Sequence, residues 1–327
     1  MDPGEEHTNM RAMILLLVAC AAQGSAGIEA NERLAESASR RGDWAAAADL
    51  WHRVYLADRF ENPRACLETA RALSELGDPD SAEALLRDGI RRSPENSALH
   101  ELHGVVLEET GYRRAAEAAY SKALELQPSL IHALAGLGRV RLQLGLETSA
   151  IPPLQRLVDL DPTPEALHLL TKAALAANDY VVAYDTYLHM FDMVEGTLEE
   201  LLDAAKLGLK PSLRSARRAS PLICEAWLAR VLEADPQCTR AHILLGAYRQ
   251  LAGDDEAAVR HLTRACETDP ASTEAFLDLA ELYMRLAEVE IARTFLDHAS
   301  EIVEDEAART RLSTLLSRAD ELGARSD

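Results

Sequence analysis

His100 and His103 stand three residues apart. On a helix that spacing puts both imidazoles on one face, where they could share a metal ion. A zinc site needs a third and fourth ligand, and no carboxylate or thiol converges on the pair at metal-ligand spacing. Packing accounts for both histidines, and no metal site is expected. The five cysteines, at positions 20, 66, 224, 238 and 266, form neither a C-x-x-C pair nor a zinc-finger spacing, so no redox motif and no structural metal is signalled. Cys66, Cys224 and Cys266 are expected as buried thiols. The chain carries no glycine-rich phosphate loop, nucleophile elbow, metalloprotease helix or paired-carboxylate motif, so neither catalysis nor a cofactor is expected.

The most basic stretch is KPSLRSARRAS over 210–220, with Lys210, Arg214, Arg217 and Arg218 and no acid. It reads either as a solvated mobile loop or as a second contact site on a rigid scaffold. The chain as a whole has a formal net charge of −20 and a pI near 4.9. Such a field repels phosphate backbones and anionic headgroups, and nucleic acid is not an expected partner.

These residues sit in a sequence built for helices. Ala, Leu, Glu and Arg dominate and aromatic residues make up only 5%, a composition with high helix propensity and little for a sheet to pack with. Gly77, Gly111 and Gly145 lie 34 residues apart, as do Pro94, Pro128 and Pro162, and Ala82, Ala116 and Ala150. Three series sharing one period define a repeat. Each copy is an apolar helical stripe, a turn at glycine, a second stripe, and a proline that cannot continue the helix.

This pattern resembles the tetratricopeptide-repeat family. It is clearest over 97–130, where Gly104, Leu107, Gly111-Tyr112, Ala116, Tyr120, Ala123 and Pro128 fill the signature places. Further copies are read at 28–61, 63–96, 131–164, 164–195, 239–272 and 273–305. The step from Pro164 to Thr239 is 75 residues rather than twice 34, so 196–238 is read as an irregular repeat with an enlarged turn at 210–220. The resemblance implies an all-α, right-handed superhelical solenoid of antiparallel helix pairs, with about eight repeats over 28–305 and a capping helix and tail at 306–327. Pro152-Pro153 falls inside a second helix, where each ring costs about 3 kcal/mol, and a kink or restart is expected there.

In this family the first helix of each pair lines a concave face where partner segments bind. Carried onto this chain, those positions are Arg64, Leu67, Arg71, Glu101, Val105, Glu108, His132, Arg139, Leu142, His168, Lys172, Leu175, Arg240, Ile243, Leu277 and Glu281. Arg64, Arg71, Arg139, Lys172 and Arg240 concentrate positive charge against the overall sign, which points to an acidic peptide partner unless neighbouring glutamates such as Glu101 and Glu108 pair with them. The carboxylate clamp of the family's chaperone adaptors is missing, since Lys122, Lys172, Lys206 and Lys210 are the only lysines.

Ala12 to Ala22 is an uninterrupted apolar run followed by Gly24-Ser25-Ala26. The run is too short to span a bilayer but suits a signal-peptide core, with cleavage before Gly27. Leu17-Val18-Ala19-Cys20 resembles a lipobox whose Cys20 would carry the lipid. Against export, the segment before the run is acidic, which leaves residues 1–27 as either a signal peptide or an N-terminal extension. The expected function is a protein-interaction scaffold, exported to the periplasm or outer membrane and aiding assembly of an envelope complex, with membrane contact only through that lipid. A cytoplasmic adaptor and a non-catalytic subunit of an enzyme complex are the alternatives.

Overall fold

The computed structural model describes residues 27–326, so the leader reading and the lipid at Cys20 lie outside the described residues. Among those described there are helices and turns and no strand. The helices divide into two compact units at the turn between Ala177 and Asn178.

In the first unit the helices run α1 (27–40), α2 (Trp44–Ala57), α3 (Pro63–Glu75), α4 (Pro79–Arg92), α5 (Ser97–Glu109), α6 (Arg113–Leu126), α7 (Ile131–Gln143), α8 (Glu147–Leu160) and α9 (Pro164–Ala176). From α2 onward each packs on the next, and the first helices α3, α5, α7 and α9 also pack on one another one repeat apart. The glycine series makes the turns, with Gly77, Gly111 and Gly145 at φ +76, +82 and +71, left-handed values that glycine adopts at least cost. The Asp that follows Gly42 and Gly77 has its own task. Asp43 and Asp78 accept the N–H of Ala46 and Ser81, capping the second helix of their pairs.

The core is a line of alanines and large side chains: Ala47, Trp51, Ala70, Ala82, Leu86, Ala116 and Tyr120 are all essentially inaccessible. Gly138 is held by Leu154, which a Cβ there would meet at 2.3 Å. That close approach is why glycine stands where α7 meets α8.

Of the kink or restart expected at Pro152-Pro153, the restart is not found, because α8 runs unbroken through both prolines. Pro153 has no N–H for the carbonyl of Ser149, four residues back. Arg141 of α7 supplies the missing donor, its Nη1 lying 2.8 Å from the Ser149 oxygen while its Nε donates to Glu117 at 2.9 Å. The orphaned acceptor is thus satisfied from a neighbouring helix.

The second unit comprises α10 (Tyr180–Met193), α11 (Leu198–Gly208), α12 (Pro211–Ser215), α13 (Pro221–Ala234), α14 (Thr239–Ala252), α15 (Asp255–Thr268), α16 (Thr273–Arg285), α17 (Val289–Ile302) and α18 (Glu306–Ser326). Here α11 pairs with α13, and α12 is the enlarged turn between them, packed on α10. The final helix lies on α16 and α17 and buries Leu312, Leu315 and Ala319 against them, which closes the apolar end of the stack. Cys66, Cys224 and Cys266 are buried free thiols, and burial pushes the Cys266 thiol up to about 12.

His242 of α14 faces His261 of α15, Nδ1 to Nδ1 at 3.2 Å. Burial lowers the pKa of both rings, and Arg264 beside His242 and Arg249 and Arg260 beside His261 add to the lowering. A folded pKa below the unfolded one means that the unfolded chain takes up protons first on acidification. The stability this pair contributes is therefore complete above the ordinary histidine value of about 6.5, begins to fall below it, and is lost as the pH drops through the lowered folded values. We expect the Tm of the whole chain, followed by circular dichroism, to drop between pH 7 and pH 5.5. His242→Phe/His261→Phe should flatten that dependence, and an unchanged slope would assign it to other groups.

Candidate functional site

Tyr120, on the second helix α6, reaches between two first helices. Its ring is closed in by Gly104 of α5 and Gly136 of α7, where an added Cβ would lie 2.7 Å and 2.4 Å from ring atoms. No other residue type leaves room for the ring. Its hydroxyl donates to Glu108 Oε2 at 3.0 Å, and burial pushes the phenol far above its usual range. Arg139 of α7 donates to the same carboxylate from Nε at 2.7 Å and Nη2 at 3.0 Å, a two-point charge-assisted contact. Glu108 holds that guanidinium more firmly protonated than usual. Tyrosine, glutamate and arginine thereby lock α5, α6 and α7 together.

Above this lock lies a concave pocket of about 520 Å³. From α3 come Leu67 and Arg71, from α5 Ala98, Glu101, Leu102 and Val105, and from α7 His132, Ala135 and Arg139, with Tyr120 between α5 and α7. The floor is apolar and the rim carries both signs of charge, with His132 Nδ1 3.5 Å from Glu101. A second concavity of about 380 Å³ continues from Arg139 along α7 and α9, lined by Leu142, Leu169, Lys172 and Ala176. Such a surface can take up the side chains of a peptide or helix laid across the first helices.

Of the residues singled out from sequence, Leu67, Arg71, Val105, His132 and Arg139 meet in the first pocket, and Leu142 and Lys172 join Arg139 in the second. Arg64 lies outside both, paired with Glu36 at 2.7 Å and placed over the Trp51 ring at 5.4 Å. His168 and Leu175 are exposed on α9 without lining either pocket. In the second unit Ile243 and Leu277 were expected to face outward, and both are buried, at 7% and 1% exposure, against Phe276 and its neighbours.

Of the two readings of these cations, the ion pairs favour pairing with neighbouring carboxylates. Arg64 binds Glu36, Arg71 binds Glu68 at 3.2 Å, Arg139 binds Glu108, and Arg240 binds both Glu199 and Asp203. Four of the five cations, three in the first unit and Arg240 in the second, thus have carboxylate partners. Sequence reasoning missed Ala98, Leu102 and Ala135, which flank the chosen positions on the same helices, and Tyr120, which comes from the second helix. The small residues Gly104 and Gly136 were the available signal for Tyr120.

His100 and His103 hold no metal-like arrangement. His100 is buried, with Nε2 2.9 Å from the Pro94 carbonyl, and among the described residues no group of three ligating side chains converges. No described helix is long and apolar enough to cross a membrane.

Models of the tetratricopeptide repeat match residues 38–105 and 251–319, and a further one matches 103–165. Together they cover more than half of the sequence. The chain belongs to the tetratricopeptide-repeat family. No curated protein matches it in sequence. Among solved structures, that of Naa15/Naa10 bound to HypK-THB is 12% identical, covers 90% of this chain and 46% of its own, and superposes with a TM-score of 0.56. A TPR repeat-containing protein from Cytophaga hutchinsonii is 17% identical over 76% of this chain and 98% of its own, with a TM-score of 0.49. PilF of Pseudomonas aeruginosa is 15% identical over 71% and 99%, with a TM-score of 0.48. The likeness to Naa15/Naa10 is one of fold. As a tetratricopeptide-repeat protein this molecule is a protein-interaction scaffold, of a family whose members are in general non-catalytic.

Proposed function

We propose that the pocket over Tyr120 seats a segment of a protein partner and that the chain serves as an exported scaffold in the assembly of a cell-envelope complex. The docking part rests on one observation: Leu67, Leu102, Val105 and Ala135, from three successive first helices, converge on one apolar floor with a charged rim. The rim carries Glu101 and His132 together with Arg71 and Arg139, charged and polar groups that can set the orientation of a bound segment. Because Arg71 and Arg139 are neutralised by Glu68 and Glu108, the floor supplies most of the attraction, at roughly 25 cal/mol per Å² of apolar surface covered.

Support for export comes from the apolar run Ala12 to Ala22 and the small residues that follow it. Affinity purification from the native host, with fractionation and mass spectrometry, tests both parts. A photo-crosslinker placed at Ala135 should label the partner, whereas one at Arg87, on the second helix α4, should not. Val105→Glu, which puts a charge on the floor, should lower capture at least tenfold with the helical content unchanged. Equal capture by that variant would remove the pocket as the seat. A processed N-terminus at Cys20 or Gly27 with envelope partners would support export, and an intact Met1 with cytoplasmic partners would move the protein to an adaptor of the cell interior.

A further inference from the structure

The basic turn of the second unit is a built platform rather than a free loop. Leu213 of α12 is fully buried, Arg218 pairs with Asp185 of α10, and Lys210 Nζ lies 4.8 Å from the centre of the Tyr180 ring. The Arg218 amide closes the turn on the Leu213 carbonyl at 2.9 Å. With these anchors fixed, Arg214 and Arg217 are exposed, and among the described residues neither has a carboxylate partner. Most other arginines of this acidic chain are paired, including those of the concave face.

Beside Arg214 opens a small pocket of about 150 Å³, walled by Gly208, Pro221, Tyr248, Leu251 and Ala252. Its wall includes an unprotected apolar side chain, Leu251, which is 43% exposed, and Leu222, the chain neighbour of Pro221, is 78% exposed. An engineered apolar cavity of about this volume holds a benzene-sized group, so one aliphatic side chain fits. Gly208 must stay glycine to keep the wall, since its Cβ would meet the Tyr248 hydroxyl at 2.5 Å.

We propose that this face is a second docking site, for a segment of a partner protein in which an aliphatic side chain is flanked by carboxylates. The aliphatic group enters the pocket, and the carboxylates pair with Arg214 and Arg217, which need no existing partner to be displaced. Two exposed arginines are few for a lipid surface, since basic clusters that hold anionic headgroups carry about 4–8 Lys/Arg. A discrete pocket also suits a single side chain better than a plane of headgroups.

The test uses the full chain and a fluorescein-labelled peptide of two leucines flanked on each side by two aspartates, read by fluorescence anisotropy. We expect it to bind at least tenfold more tightly than versions with alanine for leucine or lysine for aspartate. Arg214→Glu/Arg217→Glu should weaken binding about tenfold or more, while the charge-matched Arg260→Glu/Arg264→Glu on α15 should leave it unchanged. Val105→Glu, which disables the first pocket, should also leave it unchanged, so the two sites fail separately. Equal losses in the two charge variants would show a bulk-charge effect and overturn the proposal. So would absence of any preference among the peptides, or co-sedimentation with phosphatidylserine vesicles that depends on Arg214 and Arg217 without peptide binding.

Discussion

Tyr120→Ala is expected to destabilise the first unit by about 3–5 kcal/mol, the range for removing a fully buried aromatic ring. The ring is 0% exposed and fills the gap that Gly104 and Gly136 leave between α5 and α7. Two glycines cannot extend side chains into the void, so the site has little means of collapse, and the cost falls toward the upper end. Removing the ring also frees Glu108 from one donor and leaves Arg139 to hold it alone.

Tyr120→Phe separates these contributions. It keeps the ring and its packing and deletes the hydroxyl that donates to Glu108. Hydrogen bonds to charged groups contribute about 1.5–3 kcal/mol, and because Arg139 still satisfies Glu108 at two points, we expect about 1–2 kcal/mol. Urea unfolding of the full chain measures both variants. A loss for Tyr120→Ala no larger than that for Tyr120→Phe would mean that the ring does not carry the packing assigned to it. Because the pocket floor rests on this ring, the alanine variant should also weaken partner capture, while the phenylalanine variant should retain most of it.

The helix pairs were legible in the sequence because their punctuation is local. A glycine every 34 residues supplies left-handed turns, and prolines stop the second helices. What escaped was long-range and depended on side-chain reach. Whether Arg139 would stay open to a ligand or pair with a neighbouring glutamate was left undecided, because its partner Glu108 stands on the helix one repeat earlier and only a settled rotamer shows which of several glutamates it takes. Pro152-Pro153 read as a break because no local rule says that Arg141, from the preceding helix, will donate to Ser149. Ile243 read as groove-facing by repeat register, yet Phe276 and Leu277 of α16 close over that side of α14. The turn at 210–220 read as loop or contact by composition alone, and its order comes from Leu213 and the Arg218–Asp185 pair.

Arg311→Leu should loosen the closing helix in a pH-dependent way. Arg311 of α18 donates to Asp278 at 2.7 Å and Glu281 at 2.8 Å on α16. Even with that partner, burial holds the Asp278 carboxyl above its ordinary value, and Glu274 and Glu281 push in the same direction. Without Arg311 the charge on Asp278 is uncompensated. Breaking a fully buried pair costs roughly 3–5 kcal/mol, and since Arg311 keeps 38% of its side chain exposed, about 2 kcal/mol is expected at neutral pH. A carboxyl whose folded pKa exceeds the unfolded one takes up its proton first in the folded state, so stability rises as the pH falls. The variant should therefore recover as the pH drops through the raised folded value of Asp278, with the gain complete below the ordinary value near 3.9. Hydrogen exchange of α18 reports the loosening directly, and Asp278→Asn/Arg311→Leu should restore much of the protection at pH 7. A loss in Arg311→Leu that is the same at every pH would place its cause in the lost packing of the arginine stem rather than in the stranded carboxylate.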